Sequence, residues 1–366
     1  MNVAGKQMRS IELSKDGWSC DVIDQRMLPH ALVQASLRSV GDAARAISEM
    51  WVRGAPLIGV TAAYGIALAM RSDASDEALK RAYEQLLATR PTAVNLRWAL
   101  DALQAELAPL APKERESAAY KTSGELAEQD VRCCEAIGVH GLTLFEEALA
   151  KKSTPGPLRI LTHCNAGWLA TVDWGTALAP IYKAHQAGMD LHIYVDETRP
   201  RNQGASLTAW ELVQQKIPHS LIVDNAGGHL MQHGLVDLCI VGSDRTTATG
   251  DVCNKIGTYL KALAAADNNI PFYAALPFST IDWTVRDGLR EIPIEERSPR
   301  EVTHIRGLNA LGRVEEVSLA PKGSSALNYG FDVTPARLVT KIITERGIAE
   351  ASEQGLASLY KDVSGQ

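Results

Sequence analysis

A chain of 366 residues is long enough for two domains of ordinary size, and 46% hydrophobic with 22% charged residues is the balance of a water-soluble globular protein. A net charge of −6 argues against broad attraction to nucleic acid or to an anionic membrane, and leaves room only for a local basic cluster around a small anion. The six cysteines, Cys20, Cys133, Cys134, Cys164, Cys239 and Cys253, form no C-x-x-C pair, which argues against a zinc site or a disulfide framework and fits a reducing cytosol.

The N-terminus lacks a secretory pattern. After a short strand region, the first ~150 residues carry helical periodicity. Residues 37–50 are amphipathic. Residues 53–70, "RGAPLIGVTAAYGIALAM", are rich in small residues and expected to be buried, and are too short and glycine-rich to span a bilayer. Helices are expected over 76–88 and 93–105, then a long charged one over 114–151 with a break at Gly138. "KKSTPGPLR" (151–159) clusters Pro and Gly and places a domain boundary between 1–152 and 153–366. Beyond it the period changes. "LRILTHC", "LHIYVDE", "HSLIVD", "VDLCIVG" and "FYAALP" are short apolar runs separated by helical stretches at 176–188, 206–215 and 255–265. Strand alternating with helix predicts an α/β fold with a parallel sheet covered on both faces. Ligands then bind beyond the carboxyl ends of the strands.

The loops at those ends are "HCNAG" (163–167), "DETRPRNQG" (196–204), "DNAGGH" (224–229), "GSDRTTATGDVCNK" (242–255) and "PFSTID" (277–282). Each alone reads equally as a turn; together they offer polar groups to one crevice. Earlier in the chain, Gly54 and Ala55 precede Pro56 at an expected helix start, where free N–H groups favour an anion, and Arg53 adds guanidinium donors. Arg97, between Leu96 and Trp98, is either a second cation for that anion or a residue of a polar helix face. Asn254 and Lys255 are placed at the start of the 255–265 helix, a further anion site. Gln203 is a hydroxyl-binding amide or a surface one. Cys164, at a strand end, is a base, a nucleophile, a polar stabiliser or a small buried residue. Its neighbour His163 points to the opposite strand face and is a poor partner for it. Asp244 is an acid of raised pKa or a turn cap pairing with Arg245, and Asp251, Asp196 and Asp224 compete with it.

Taken together, "RGAP", "NLRWAL", "THCNAG", "DETRP", "QGASLTAWEL", "DNAGGHLM", "GSDR", "GDVCNKIGTY", "STID" and "IPIEERSPREV", in this order, resemble the methylthioribose-1-phosphate isomerase family of methionine salvage. That family is related to ribose-1,5-bisphosphate isomerase and to the regulatory alpha, beta and delta subunits of the translation-initiation exchange factor. The resemblance implies a helical N-terminal domain with a small β-sheet, a Rossmann-like C-terminal domain with a mostly parallel sheet, and a homodimer. It implies catalytic positions at Cys164 and Asp244, and substrate-binding positions at Arg53, Gly54, Ala55, Arg97, Gln203, Asn254 and Lys255. Trp168, after Gly167, is expected beside the pocket, where it would bear on the sugar's 5-substituent; methylthio and plain deoxy both suit it. The expected chemistry, aldose 1-phosphate to ketose 1-phosphate, asks for neither metal nor nicotinamide, and no G-x-G-x-x-G follows a strand. The alternatives are a bisphosphate isomerase, with Arg199, Arg201 or Arg245 holding a second phosphate, and a non-catalytic regulatory subunit.

Overall fold

The computed structural model describes residues 1–90 and 93–360. The N-terminal half opens with a two-stranded ribbon of Asn2–Val3 and Lys6–Gln7, followed by a three-stranded antiparallel sheet of Ile11–Leu13, Cys20–Ile23 and Gln34–Leu37. Five helices follow: α1 (Val40–Ser48), α2 (Ala55–Ser72), α3 (Asp76–Leu87), α4 (Val94–Leu107) and α5 (Pro112–Lys151). Their starts follow local chemistry. The Ser39 hydroxyl accepts the Asp42 N–H and the Ser75 hydroxyl accepts the Ala78 N–H, each relieving an otherwise unpaired donor of the first turn. α2 is apolar on every side because α1, α3, α4 and α5 all pack on it. It is long and apolar enough to cross a membrane, but 83% of that window is buried inside the protein.

α5 runs unbroken for 40 residues, so the break expected at Gly138 is absent. The glycines there serve packing instead. A Cβ on Gly141 would overlap Pro180 Cγ, so its absence lets α6 (Ala179–Gln186) lie close against the helix. α5 also belongs to two cores. Its Ala119, Leu126 and Ala127 pack with the N-terminal helices, whereas Ile137, Leu144 and Phe145 pack under the large sheet.

That sheet has seven strands in the order Gly347–Ala349, Lys341–Thr344, Phe272–Ala275, Leu238–Val241, Leu158–Thr162, Leu191–Asp196, His219–Ile222. All neighbours are parallel except the first pair. Numbering the six parallel strands along the chain gives 3-2-1-4-5-6, the doubly wound Rossmann-like order. Central strands such as Leu238–Val241 are buried throughout, as helices on both faces require. The direction in which successive strands are added reverses between the parallel neighbours Leu158–Thr162 and Leu238–Val241, where Thr162 pairs with Ile240. A smaller four-stranded sheet, Ile281–Asp282, Arg245–Thr247, Val252–Lys255 and Phe331–Thr334, stands over this switch point.

Candidate active site

Cys164 and Asp244 leave the two strands that flank the switch point, and both line one crevice of about 50 Å³ with Arg53, Gly54, Ala55, Arg90, Gln203, Asn254 and Lys255. The crevice is built from both halves of the chain. The N-terminal half brings the start of α2 and Arg90; the large sheet brings the cysteine loop; the small sheet brings the lysine. Gly54 has φ 99°, and a Cβ there would overlap the backbone of Ala170. Only glycine lets the first turn of α2, with its unpaired N–H groups, approach the loop so closely.

Cys164 itself sits at φ 66°, a conformation uncommon for a residue with a Cβ. Two threonines hold it there. Its N–H donates to Thr198 Oγ1 at 2.8 Å, and its carbonyl accepts from Thr208 Oγ1 at 2.6 Å. The turn points Sγ at Gln203 Oε1, 3.4 Å away. Gln203 is in turn fixed at the head of a π-helical turn, Gly204–Thr208, an irregularity that re-aims side chains and is frequent at functional sites. Burial pushes the thiol up, with Arg53 and Lys255 pulling against it.

The Arg53 side chain is buried, and two of its nitrogens donate to Asn165, one to Oδ1 and one to the backbone carbonyl, both at 2.7 Å. Asn165 Nδ2 donates in turn to buried Glu211, which also takes the N–H groups of Trp168 and Leu169. This relay locks the "HCNAG" loop. Lys255 is also buried; its ammonium lies 4.7 Å from the centre of the Phe331 ring and has no ion pair among the described residues. Burial pulls it down from the usual lysine value, countered by Cys164 and Asp244.

The Asp244 carboxyl accepts no hydrogen bond from any described residue; its backbone N–H alone is used, on Cys253. Burial raises it above the usual carboxylate range, and Lys255, Arg90 and Arg53 oppose the rise. The pairing with Arg245 does not form, because Arg245 is bound to Asp282. The competing aspartates are committed elsewhere. Asp251 accepts the N–H groups of Gly288 and Ala336, Asp224 those of Thr198 and Arg199, and Asp196 holds His163 and Lys261.

Three expectations need correction. Arg97 is not in the crevice. It lies on the exposed face of α4 near Tyr83, because Asn95 and Leu96 take the inward positions. Arg90, before α4, is there instead, with a buried Nε that has no partner among the described residues and an Nη2 on Glu295 at 2.9 Å. The sequence held one clue to it, the "TRP" tripeptide, since a residue that precedes proline is disfavoured in a helix and so reads as a loop arginine. Asn254 and Lys255 do not start a helix. They end the Val252–Lys255 strand, and the next helix begins at Thr258 behind Gly257, so the lysine contributes charge rather than a helix terminus. Trp168 is fully buried against Trp210 and does not line the crevice.

An outer cavity of about 390 Å³ adjoins this crevice through Met50, Arg53 and Gln203, and Met27, Leu28, Pro29 and Leu207 give it an apolar side. The assembled site therefore has a cationic inner end, a buried acid, a thiol and an outlet with one apolar and one charged side.

Residues 51–351 match the Initiation factor 2 subunit family. A methylthioribose-1-phosphate isomerase of Rhodospirillum rubrum is 61% identical over 366 residues, covering 99% of this chain and 94% of that one. One of Paramagnetospirillum magneticum is 62% identical over 362 residues, covering 99% of each. Among solved structures, the 5-methylthioribose 1-phosphate isomerase of Pyrococcus horikoshii superposes with TM-score 0.82 at 38% identity, covering 98% of this chain and 97% of that one. Subunit delta of translation initiation factor eIF-2B from A. fulgidus gives 0.79 at 37% identity, covering 97% and 100%.

Proposed function

The chain belongs to the initiation factor 2 subunit family and, within it, to the methylthioribose-1-phosphate isomerases, and we propose that its crevice isomerises the sugar with Asp244 as acid and Cys164 as polar stabiliser. The reaction, a step of methionine salvage, turns the aldose 1-phosphate into the ketose 1-phosphate. What carries the residue assignment is the meeting of Cys164 and Asp244 beside Arg53, Arg90 and Lys255 in one crevice.

The substrate's anomeric oxygen bears the phosphate, so its ring cannot open as a free sugar's does. The ring oxygen must be protonated, so that its bond to C1 breaks, the electron pair stays on that oxygen as a hydroxyl, and C1 is left electrophilic. A carboxyl raised by burial, with no donor holding its charged form, is suited to give that proton near neutral pH. Arg53, Arg90, Lys255 and the first turn of α2 at Gly54 and Ala55 clamp the phosphate; Gln203 and Asn254 meet the hydroxyls. Hydrogen then moves from C2 to C1. Burial keeps Cys164 a thiol, and a thiol donating to Gln203 Oε1 is a poor base. That favours a direct hydride shift: hydride leaves C2 for C1, the C2 hydroxyl becomes the carbonyl, and its proton restores Asp244. The 5-substituent points to the outer cavity, whose apolar side accepts methylthio or deoxy.

The three arginines expected to hold a second phosphate are each engaged already, Arg245 by Asp282, Arg201 by Glu301, and Arg199 by the carbonyls of Pro200 and Val302. This disfavours a bisphosphate substrate. A purely regulatory subunit has no use for the buried acid and thiol. A cytosolic setting, a homodimer and domains at 1–152 and 153–366 belong to the same reading.

The test is turnover in deuterated water. Methylthioribose 1-phosphate should give product without solvent deuterium at C1, and Asp244→Asn should lose roughly 10²–10⁴-fold in kcat. Deuterium at C1 would replace the hydride route by an enediolate with Cys164 as base. Full activity in a folded Asp244→Asn protein would remove Asp244 from its role.

A further inference from the structure

Behind the crevice lies a buried charged cluster that the reaction as described does not use. His163, Asp196 and Lys261 are 1%, 0% and 4% exposed. His163 Nδ1 is 2.8 Å from Asp196 Oδ2, and Lys261 Nζ is 3.3 Å from the same oxygen. Lys261 also donates to the carbonyl of Asp224. On the other side of the ring, His163 Nε2 is 2.8 Å from the backbone carbonyl of Ile256.

His163, Asp196 and Asp224 lie close enough together to suggest a metal site. Their bonding argues otherwise. Both carboxylate oxygens of Asp224 accept backbone N–H groups, both nitrogens of His163 are engaged, and the Lys261 ammonium supplies the positive charge. These bonds make a network of protein groups, with Asp196 Oδ1 alone in it buried and without a partner among the described residues, and its members sit at informative places. His163 precedes Cys164. Asp196 ends the strand whose loop carries Gln203. Ile256 follows Lys255. One imidazole thus joins the loop of the thiol to the segment of the phosphate-clamping lysine, across the gap between the large and small sheets.

We propose that His163 is a positioning residue of the isomerisation, fastening the Cys164 loop to the Lys255 segment with both of its ring N–H groups. A carboxylate and a carbonyl oxygen are both acceptors, so the two bonds coexist only when both ring nitrogens carry hydrogen. The groups facing the ring supply the balance: Asp196 in contact, Lys261 and Asp224 beyond it, and Asp332, whose carboxylate caps the N–H groups of Gly257 and Tyr259 and feels the His163 charge. A ring fixed at both ends cannot rotate, and the thiol and ammonium keep their spacing when substrate enters. Second-layer residues of this kind matter because small misplacements of reacting groups are costly.

The proposal rests on the isomerase reading but is tested apart from it. In a double-mutant cycle, His163→Gln should lower kcat/KM by roughly 10²-fold in the wild-type background and only a few-fold once Lys255→Ala has removed the group it positions. A purely structural histidine would cost the same factor in both backgrounds, and that result, or an unchanged kcat/KM in a folded His163→Gln protein, overturns the proposal. The wild-type protein gives a second reading that needs no variant. Nitrogen-15 NMR of histidine-labelled protein should show one solvent-shielded ring with both nitrogens protonated; a shielded ring with one bare nitrogen overturns it equally. Failure of wild-type turnover would instead strike the isomerase reading and leave the ring's bonding unaffected.

Discussion

At the scale of single residues, the proposed phosphate clamp separates what sequence carries from what it does not. Arg53 was legible from its place before a helix start, and Cys164, Gln203, Asn254, Lys255 and Asp244 from loops after strands, with the family resemblance weighting them; all six line the crevice. Arg97 was not, and the periodicity alone, which offered a polar helix face, was the better guide: with Asn95 and Leu96 inward, position 97 turns to solvent. Arg90, seven residues earlier, lines the crevice with a buried Nε that has no partner among the described residues and a second nitrogen anchored by Glu295. A charge-assisted contact to phosphate contributes about 1.5–3 kcal/mol. Arg90→Ala should therefore raise KM for the sugar phosphate by roughly 10- to 100-fold, whereas Arg97→Ala should stay within about two-fold of wild type. Steady-state kinetics of the two variants decide it, and a reversed ranking would return the clamp to Arg97.

At the scale of elements, helices with clear periodicity were found within two or three residues, since amphipathic spacing and capping serines act locally. Three features escaped because they depend on distant neighbours. Lys255 ends a strand because Phe331–Thr334, some 75 residues on, pairs with it. The π-helical turn at Gly204–Thr208 lies where the chain passes tightly over Asp196. α5 continues through Gly138 because its glycines receive α6, a contact invisible to helix propensity. Gly141→Ala isolates that contact. In an exposed helix the change would stabilise by up to about 1 kcal/mol. Here the new methyl meets Pro180 Cγ, and overpacking of this kind costs about 1–3 kcal/mol. Urea denaturation should show a lower midpoint with an unchanged m-value; a stabilised variant would mean that α6 gives way freely.

At the scale of the whole molecule, strand order was the least legible feature. Alternating strand and helix foretold a parallel sheet, but not that Leu158–Thr162 and Leu238–Val241 would be neighbours, and that adjacency is what brings Cys164 to Asp244. Nor did composition reveal how the two cores are joined. α5 passes from one to the other, and near the junction its Asp130 accepts the backbone N–H of Val172 at 2.6 Å. Burial raises this carboxyl from 3.8 to about 7. The sign of the linkage follows. Between those values the unfolded chain has released the proton while the folded chain still holds it, so folding takes up a proton and stability falls as pH rises. The contribution is whole below the unfolded value and lost by about pH 7, with a slope of at most about 1.4 kcal/mol per pH unit for one proton. Asn at this position still offers an oxygen to Val172 but does not titrate. Relative to wild type, Asp130→Asn should therefore gain stability steadily from about pH 4 to 7 and level off above, as read from denaturant midpoints at matched ionic strength. A difference that stays constant over that range would mean that Asp130 is charged in the folded protein, and that the junction between the cores is held by an ionised carboxylate rather than a neutral one.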